Sequence, residues 1–328
     1  MVSKFPQKIL RKIRNKGRDY FYKFSLYRLS EKNRSSFIVL YHGIDLSGCT
    51  RFNYRFCSIK DFEAQIRFLK KHFDVVPLEE LFTDTPSHNK IAITFDDGYL
   101  NNYKYALPIL SKYKAPTTFF ITSICDSGQD ILWTDYIDIA TELTNKNITI
   151  RGENFYKKSE DRRYYSKDRS LSLKTIIKQG NYDYKIDAMK AFENVIKNFK
   201  TDSNLFDYWK LLSKEDIQQL SNSKGITIGS HSYLHNNLAN IPITDACSEL
   251  RHSKLYLENA IQKNVNSLAF PDGSYNKEVV HNAETLGFKF QLACDYLFAE
   301  DATDKRIKNR IGIYTDIPWT TQIHNILV

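Results

Sequence analysis

The stretch IAITFDDGYL (residues 91–100) runs four strand-like residues into Phe95 and then into two adjacent carboxylates, Asp96 and Asp97, before Gly98. Like charges side by side repel, so a fold that holds both must raise one pKa or supply a cation. Two readings stand here. Asp-Gly between extended runs is a common hairpin signal. The alternative is a buried strand whose end faces a positive centre, and the pattern of the rest of the chain decides between them.

Outward from this stretch, strands alternate with amphipathic helices. SFIVLYHGI (36–44) reads as a buried strand, and IKDFEAQIRFLKKHF (59–73) carries Phe62, Ile66, Phe68 and Leu69 on one helical face. VVPL (75–78), TTFFITS (117–123), ITIGS (226–230), SLAFP (267–271), FQLAC (290–294) and IGIY (311–314) continue the strands, with helical segments between them. Such alternation argues for βαβ units and parallel pairing. The expected fold is α/β, a distorted (β/α) barrel of about seven parallel strands, TIM-like, spanning 35–328. Residues 126–208, polar and rich in Lys, Asn, Asp and Tyr, interrupt the alternation and are expected to form a helical insertion, a lid or a decoration.

Composition narrows the class. At 328 residues with 42% apolar and 14% aromatic content, the chain can bury a large core. Its five cysteines are widely spaced with no C-x-x-C pair, which fits unpaired thiols and no cysteine metal site. Residues 1–34 hold eleven Lys or Arg against Asp19 and Glu31, so the entire net charge of +9 sits in this arm. Phe5, Ile9 and Ile13 recur among those bases, as in a cationic amphipathic helix; a solvated arm is the plainer alternative. Nothing else resembles a nucleic-acid module, and no nucleic-acid partner is expected.

Function in such barrels collects at the C-terminal ends of strands. There the chain places His42, the Asp96-Asp97 pair, His231 with His235 in GSHSYLHNNL, and Pro271-Asp272-Gly273. Two imidazoles and one carboxylate make the three-ligand set of an open zinc-type site, and the second carboxylate is then free to act as base. The cation relieves the repulsion within the pair.

At these residues the chain resembles the polysaccharide deacetylases, the carbohydrate esterase family 4 group that shares the NodB homology domain. The family motif T-F-D-D stands as Thr94-Phe95-Asp96-Asp97, and H-[ST]-x-x-H as His231-Ser232-Tyr233-Leu234-His235. The resemblance implies that Asp96 is the general base and that Asp97, His231 and His235 bind the metal. The third motif, R-x-P-[YF]-G, is altered: Pro271 and Gly273 remain, but Ala269 stands at the arginine and Asp272 at the aromatic residue. Arg310, just before IGIY, is the expected substitute for that arginine, and the Asp272 N–H the expected oxyanion donor. The family's L-x-H motif, which carries the general acid, fits Leu40-Tyr41-His42 outright, as in the permuted poly-N-acetylglucosamine deacetylases. His324, with Gln322 at the leucine position, fits less well. A core or turn histidine is the plainer alternative for His42.

The resemblance therefore implies a hydrolase that uses a divalent metal, zinc first with cobalt or nickel accepted, to remove an N-acetyl group from an amino sugar of a polysaccharide or lipid-linked glycan precursor. Tyr99, Trp133, Tyr233 and Tyr275 are the expected sugar-facing aromatics, with core packing the alternative for each. Hydrolysis of another amide, a formamide or cyclic ureide, and a catalytically silent glycan-binding protein are the rival readings. With neither a secretory h-region nor a membrane-spanning run, and with the basic arm, the chain is expected to work in the cytoplasm, attached peripherally to the inner face of the membrane.

Overall fold

The computed structural model describes residues 35–83, 88–158, 163–314 and 317–327. The basic arm 1–34 and the side chain of His324 lie outside what is described. Short runs of β-branched and aromatic residues become strands. Before the insertion these are β1 (Phe37–Tyr41), β2 (Ile44–Asp45), β3 (Cys57–Ser58), β4 (Asp74–Val75), β5 (Lys90–Phe95) and β6 (Thr117–Ile121). Within it lie β7 (Ile148–Ile150), β8 (Glu153–Lys157) and β9 (Tyr164–Ser166), and after it β10 (Ile226–Ser230), β11 (Ser267–Ala269), β12 (Phe290–Leu292), β13 (Ile307–Lys308) and β14 (Ile311–Gly312).

Nine of these strands form one parallel sheet in the order β13-β12-β11-β10-β6-β5-β1-β14, with β4 added to β5. The eight-strand path is a half-barrel, so the expected distorted (β/α) barrel is the fold. The Asp-Gly of the opening stretch is not a hairpin, because β5 runs parallel to both its neighbours, β1 and β6. β13 and β14 are the two ends of the sheet, and only Asn309 and Arg310 separate them in sequence.

Alternation along each strand sorts the side chains into two layers. Val39, Tyr41, Ile93, Phe95, Phe119 and Ile121 join the main core with Phe62, Ile66 and Leu69 of the helix Ile59–His72. Ile38, Ala92, Phe120, Ala269 and Leu292 point the other way and fill the inside of the half-barrel. Phe120 fits there because β10 offers Gly229 opposite it. A Cβ on Gly229 would lie 2.5 Å from the Phe120 ring and 2.6 Å from Ser267 Oγ.

Two expectations about local structure need correction. The helical segment between β5 and β6, expected as a plain helix, takes wide π turns over Asn102–Ala106 before the α-helix Leu107–Lys112, because Pro108 brings no N–H to the ladder. The insertion is not only helical. Beside Trp133–Leu143, Leu173–Gln179, Tyr182–Lys190 and Glu193–Lys200 it holds the antiparallel sheet β7-β8-β9. Arg151 and Gly152, at φ +49° and +83°, make the two-residue turn that pairs β7 with β8. Trp133, Ile137, Phe155, Ile177 and Phe192 form this insertion's own core. Among the described residues no helix is long and apolar enough to cross a membrane.

Gly229→Ala is expected to overpack the inside of the half-barrel and lower stability by about 1–3 kcal/mol, read by chemical denaturation. Adding Phe120→Leu to it should recover part of that loss, and an unchanged midpoint in the single variant would show that the two strands part easily.

Candidate active site

Asp96 continues the inward row of Ala92 and Thr94, and its N–H still donates to the Tyr41 carbonyl at 3.0 Å. Asp97 leaves that row. It and Gly98 take φ of +76° and +83°, which reverses the chain so that the two carboxylates do not share a direction. Glycine is required at the second position, since an added Cβ would lie 2.9 Å from Ile121 Cγ2.

Asp96 is met by Arg310, which stands in the gap between the two ends of the sheet. The guanidinium makes two parallel bonds, Nη1 to Oδ1 at 2.6 Å and Nη2 to Oδ2 at 2.7 Å, with its side chain wholly removed from solvent. It lies over the Phe120 ring at 5.5 Å and donates to the Ala293 carbonyl at 3.4 Å. Burial alone would raise the Asp96 pKa; the charge of Arg310 outweighs it and holds the carboxyl below its ordinary value. The arginine missing at Ala269 thus has a counterpart on another strand end.

Asp97, His231 and His235 are all buried, and each offers one donor atom within 4.8 Å of the other two. Asp97 Oδ1 stands 3.4 Å from His231 Nε2 and 3.3 Å from His235 Nε2. His231 Nδ1 bonds the Ala269 carbonyl at 2.8 Å, which fixes the ring and turns Nε2 toward Asp97. Neither oxygen of Asp97 has a hydrogen-bond partner, although the residue is buried. A buried carboxylate with unused lone pairs facing two imidazoles fits a metal ion. The His235 segment is unusual in backbone, with Ser232 at φ +62° and His235 at +54°. It is clamped from outside the barrel: Trp133 Nε1 donates to the His235 carbonyl at 2.8 Å, and Lys185 Nζ to Asn236 Oδ1 at 2.6 Å. Glu249 accepts from Leu234 N at 3.1 Å and from the Asn236 amide.

His42, Asp96, Asp97, His231, His235 and Asp272 all line one cavity of about 1150 Å³. His42 is buried with no hydrogen-bond partner at Nδ1. Burial first, and then the charge of Arg55, pushes its pKa down to about 3. In the turn Pro271–Gly273, Pro271 is buried and Asp272 takes φ +53°. The turn's own bonds run from Gly273 N to the Phe270 carbonyl and from Ser274 N to the Pro271 carbonyl, so they do not use the Asp272 N–H. The Asp272 carboxylate accepts from Lys178 at 2.7 Å and from Asn237 at 3.3 Å. Burial opposes ionisation there, but His235 and Lys178 bring its pKa down to about 2. The charge that replaced an aromatic residue is therefore matched by a lysine of the insertion.

The expected sugar-facing aromatics are corrected. Trp133 and Tyr99 are fully buried, Trp133 holding the His235 segment and Tyr99 donating to Asp135 at 2.6 Å. Tyr275 is buried against Phe270 and bonded to Asp301, and Tyr233 donates to Asp126 at 3.0 Å. Each indole or phenol is spent on internal bonding, and none of the four lines the cavity. Two residues escaped sequence reasoning. Arg55 reaches Asp97 Oδ2 and Asp135 Oδ1, both at 3.5 Å, and Asp135 also accepts from Asn53 at 3.0 Å. Burial pushes Asp135 up to about 7 against the pull of Arg55. An acid inside the apolar run ILWTDYIDIA was the one available signal, because a charge there demands a partner; Arg55 sits in an irregular loop and had none.

A parallel half-barrel with a carboxylate and two histidines gathered at its strand ends offers a candidate cation site. Comparison with known proteins makes this specific. The family model described as polysaccharide deacetylase matches residues 83–150 and 178–291, more than half of the chain, so the chain belongs to the polysaccharide deacetylase family and is a deacetylase of glycans. It is 22% identical over 272 residues to YxkH of Bacillus subtilis (strain 168), whose description as a polysaccharide deacetylase is provisional, covering 81% of this chain and 67% of that one. Two solved structures share the fold. The Streptococcus pyogenes deacetylase PplD, in complex with acetate, has a TM-score of 0.56 at 16% identity, covering 90% of this chain and 100% of that chain. IcaB from Ammonifex degensii has a TM-score of 0.54 at 16% identity, covering 90% and 97%.

Two outcomes follow from this geometry. Arg310→Met leaves Asp96 buried without its partner, and denaturant unfolding is expected to show a loss of about 3–5 kcal/mol. Trp133→Phe keeps the ring but removes the bond to the His235 carbonyl. Its metal affinity, measured by competition with a chromogenic chelator, should fall about 10–100-fold, as for loss of a supporting bond around a ligand, while far-UV circular dichroism stays unchanged.

Proposed function

We propose that the protein hydrolyses the acetamide of an N-acetylated amino sugar in a polysaccharide or lipid-linked glycan precursor, with a divalent metal held by Asp97, His231 and His235. The observation that carries this reading is the bidentate Arg310–Asp96 pair beside that donor set, since a carboxylate kept ionised next to a cation site is suited to activate water. Two imidazoles and a carboxylate are donors typical of open catalytic zinc sites, and cobalt or nickel accept the same donors. When bound, such an ion supplies Lewis acidity toward the amide carbonyl and the attacking water.

The chain's own groups supply the remaining steps. Asp96 accepts a proton as water attacks the carbonyl carbon, and the Asp272 N–H donates to the carbonyl oxygen as negative charge builds there. The C–N bond then breaks, and the nitrogen takes up a proton, giving acetate and a free amino sugar. His42 faces the same cavity. His42 passes a proton to the nitrogen, and the proton that water gave to Asp96 restores the balance.

The test is acetate release from N-acetylglucosamine oligomers by the zinc-loaded chain, set beside a formamide and a cyclic ureide. Acetate should be released and the other two amides left intact. Asp96→Asn should keep zinc affinity within about twofold and lower turnover by about 10²–10⁴-fold, the usual reach of a general base. Full activity in that variant removes Asp96 from the mechanism, and loss of zinc reassigns it as a ligand.

A further inference from the structure

Both turns that carry the metal-binding donors are strained. Asp97 holds φ +76°, Ser232 +62° and His235 +54°, and none of the three is glycine. Backbone of this kind persists only where the surrounding structure over-determines it. The two turns follow β5 and β10, which are not neighbours: β6 lies between them and pairs with both. Thr122 and Ser123, the two residues after β6, therefore stand between the Asp97 turn and the histidine turn.

Each of these two residues serves one side. Thr122 Oγ1 donates to the Asp97 carbonyl at 3.2 Å, and Ser123 N to the Ser232 carbonyl at 3.1 Å. Ser123 Oγ lies 3.0 Å from Ser253 Oγ, which lies 2.8 Å from Ser230 Oγ. Ser230 Oγ accepts from Ser232 N at 3.3 Å, and Ser232 Oγ accepts from His235 N at 3.1 Å. A continuous run of bonds thus joins Asp97, through the end of β6, to His235. Ser253 stands on the helix Ile243–Ile261, one turn after Glu249, which accepts from Leu234 N. All five hydroxyls belong to buried residues, and Ser123, Ser230, Ser232 and Ser253 have no exposed surface at all. With water excluded, each keeps its partner, because a buried hydroxyl left unpaired is costly. None of the five residues lines the cavity, so each acts on the site only through the ligands.

We propose that Thr122 and Ser253 are positioning residues: the buried hydroxyl bridge they complete sets the separation of Asp97 from His231 and His235, and with it the fit of the metal. This rests on the metal-dependent reading above. Nitrogen and oxygen ligands must meet such an ion at about 2.0–2.2 Å. A drift of about 0.5 Å at either turn therefore loosens the grip while every ligand remains in place.

The test compares full-length wild type, Thr122→Val, Thr122→Ser, Ser253→Ala and the double variant Thr122→Val/Ser253→Ala. Zinc affinity is read by competition with a chromogenic chelator, the cobalt-loaded site by its visible absorption, and stability by chemical denaturation of the zinc-free protein. Thr122→Val keeps the side-chain shape and loses the hydroxyl. It and Ser253→Ala should each lower zinc affinity about 10–100-fold, as loss of an outer-shell bond does, and shift the cobalt spectrum. Thr122→Ser, which keeps the donor, should match wild type. The double variant should lose less than the two single losses combined, because one break already frees the turns from each other. Lower stability with wild-type zinc affinity and cobalt spectrum overturns the proposal, as does a Thr122→Ser that binds zinc as weakly as Thr122→Val. A separate arm follows amide hydrogen exchange of residues 231–236 in zinc-free wild type and Ser253→Ala. If wild type binds no zinc, the metal-dependent reading fails, yet faster exchange of this segment in Ser253→Ala still supports the bridge as what holds the turn. Unchanged exchange overturns it.

Discussion

A guanidinium shut away from water, holding a carboxylate by two short bonds across the inside of a half-barrel, is the constraint on which this molecule turns. Burying two charges is costly and is offset only where geometry and further hydrogen bonds are good. Here both oxygens of Asp96 are taken by Arg310. That arrangement needs three things at once. The sheet must stop short of closing, so that Arg310 can enter between β13 and β14. Ala269 must be small, since it occupies the same inner face. Phe120 must floor the site and support the guanidinium from below. The substitution at Ala269 and the position of Arg310 are one feature seen from two strands.

The insertion is tied to the site at several independent points. Trp133 and Lys185 bond the segment that carries His235, Lys178 bonds Asp272, and Asp135 holds Arg55 beside Asp97. Each contact joins residues far apart in sequence, and each places an insertion side chain directly on or next to a residue of the cavity. Helices and the β7-β8-β9 sheet give this segment a core of its own, which lets it act as a rigid wall. The buried lysine shows what that docking costs. Burial brings the Lys185 pKa down to about 8, with Glu249 and Asp272 pulling the other way, and its ammonium is accepted by the Gly180 carbonyl and Asn236.

Much of this was legible in the sequence, because it depended on local pattern. Period-two and period-3.6 alternation marked the strands and helices of the barrel, and strand ends marked where Asp96, Asp97, His231, His235, His42 and Asp272 collect. What the one-dimensional pattern could not carry was direction. Tyr99, Trp133 and Tyr275 have the same composition whether they face a sugar or the core, and burial decided for the core. The strands of the insertion were missed for a related reason: short alternating runs in a polar segment look like loop until a turn such as Arg151-Gly152 pairs them.

The sequence by itself determined the parallel α/β architecture, the two family motifs and the set of side chains able to hold a metal. Those features are written in residue type and spacing, which act over a strand or a turn. The tertiary structure alone decided that Arg310 completes Asp96 from the far end of the sheet, and that Arg55 and Asp135 stand beside Asp97. Those contacts join segments separated by tens to hundreds of residues, and no local propensity encodes them. They exist because curling the sheet into a half-barrel brings charges together in a place with little water, where each must find a partner.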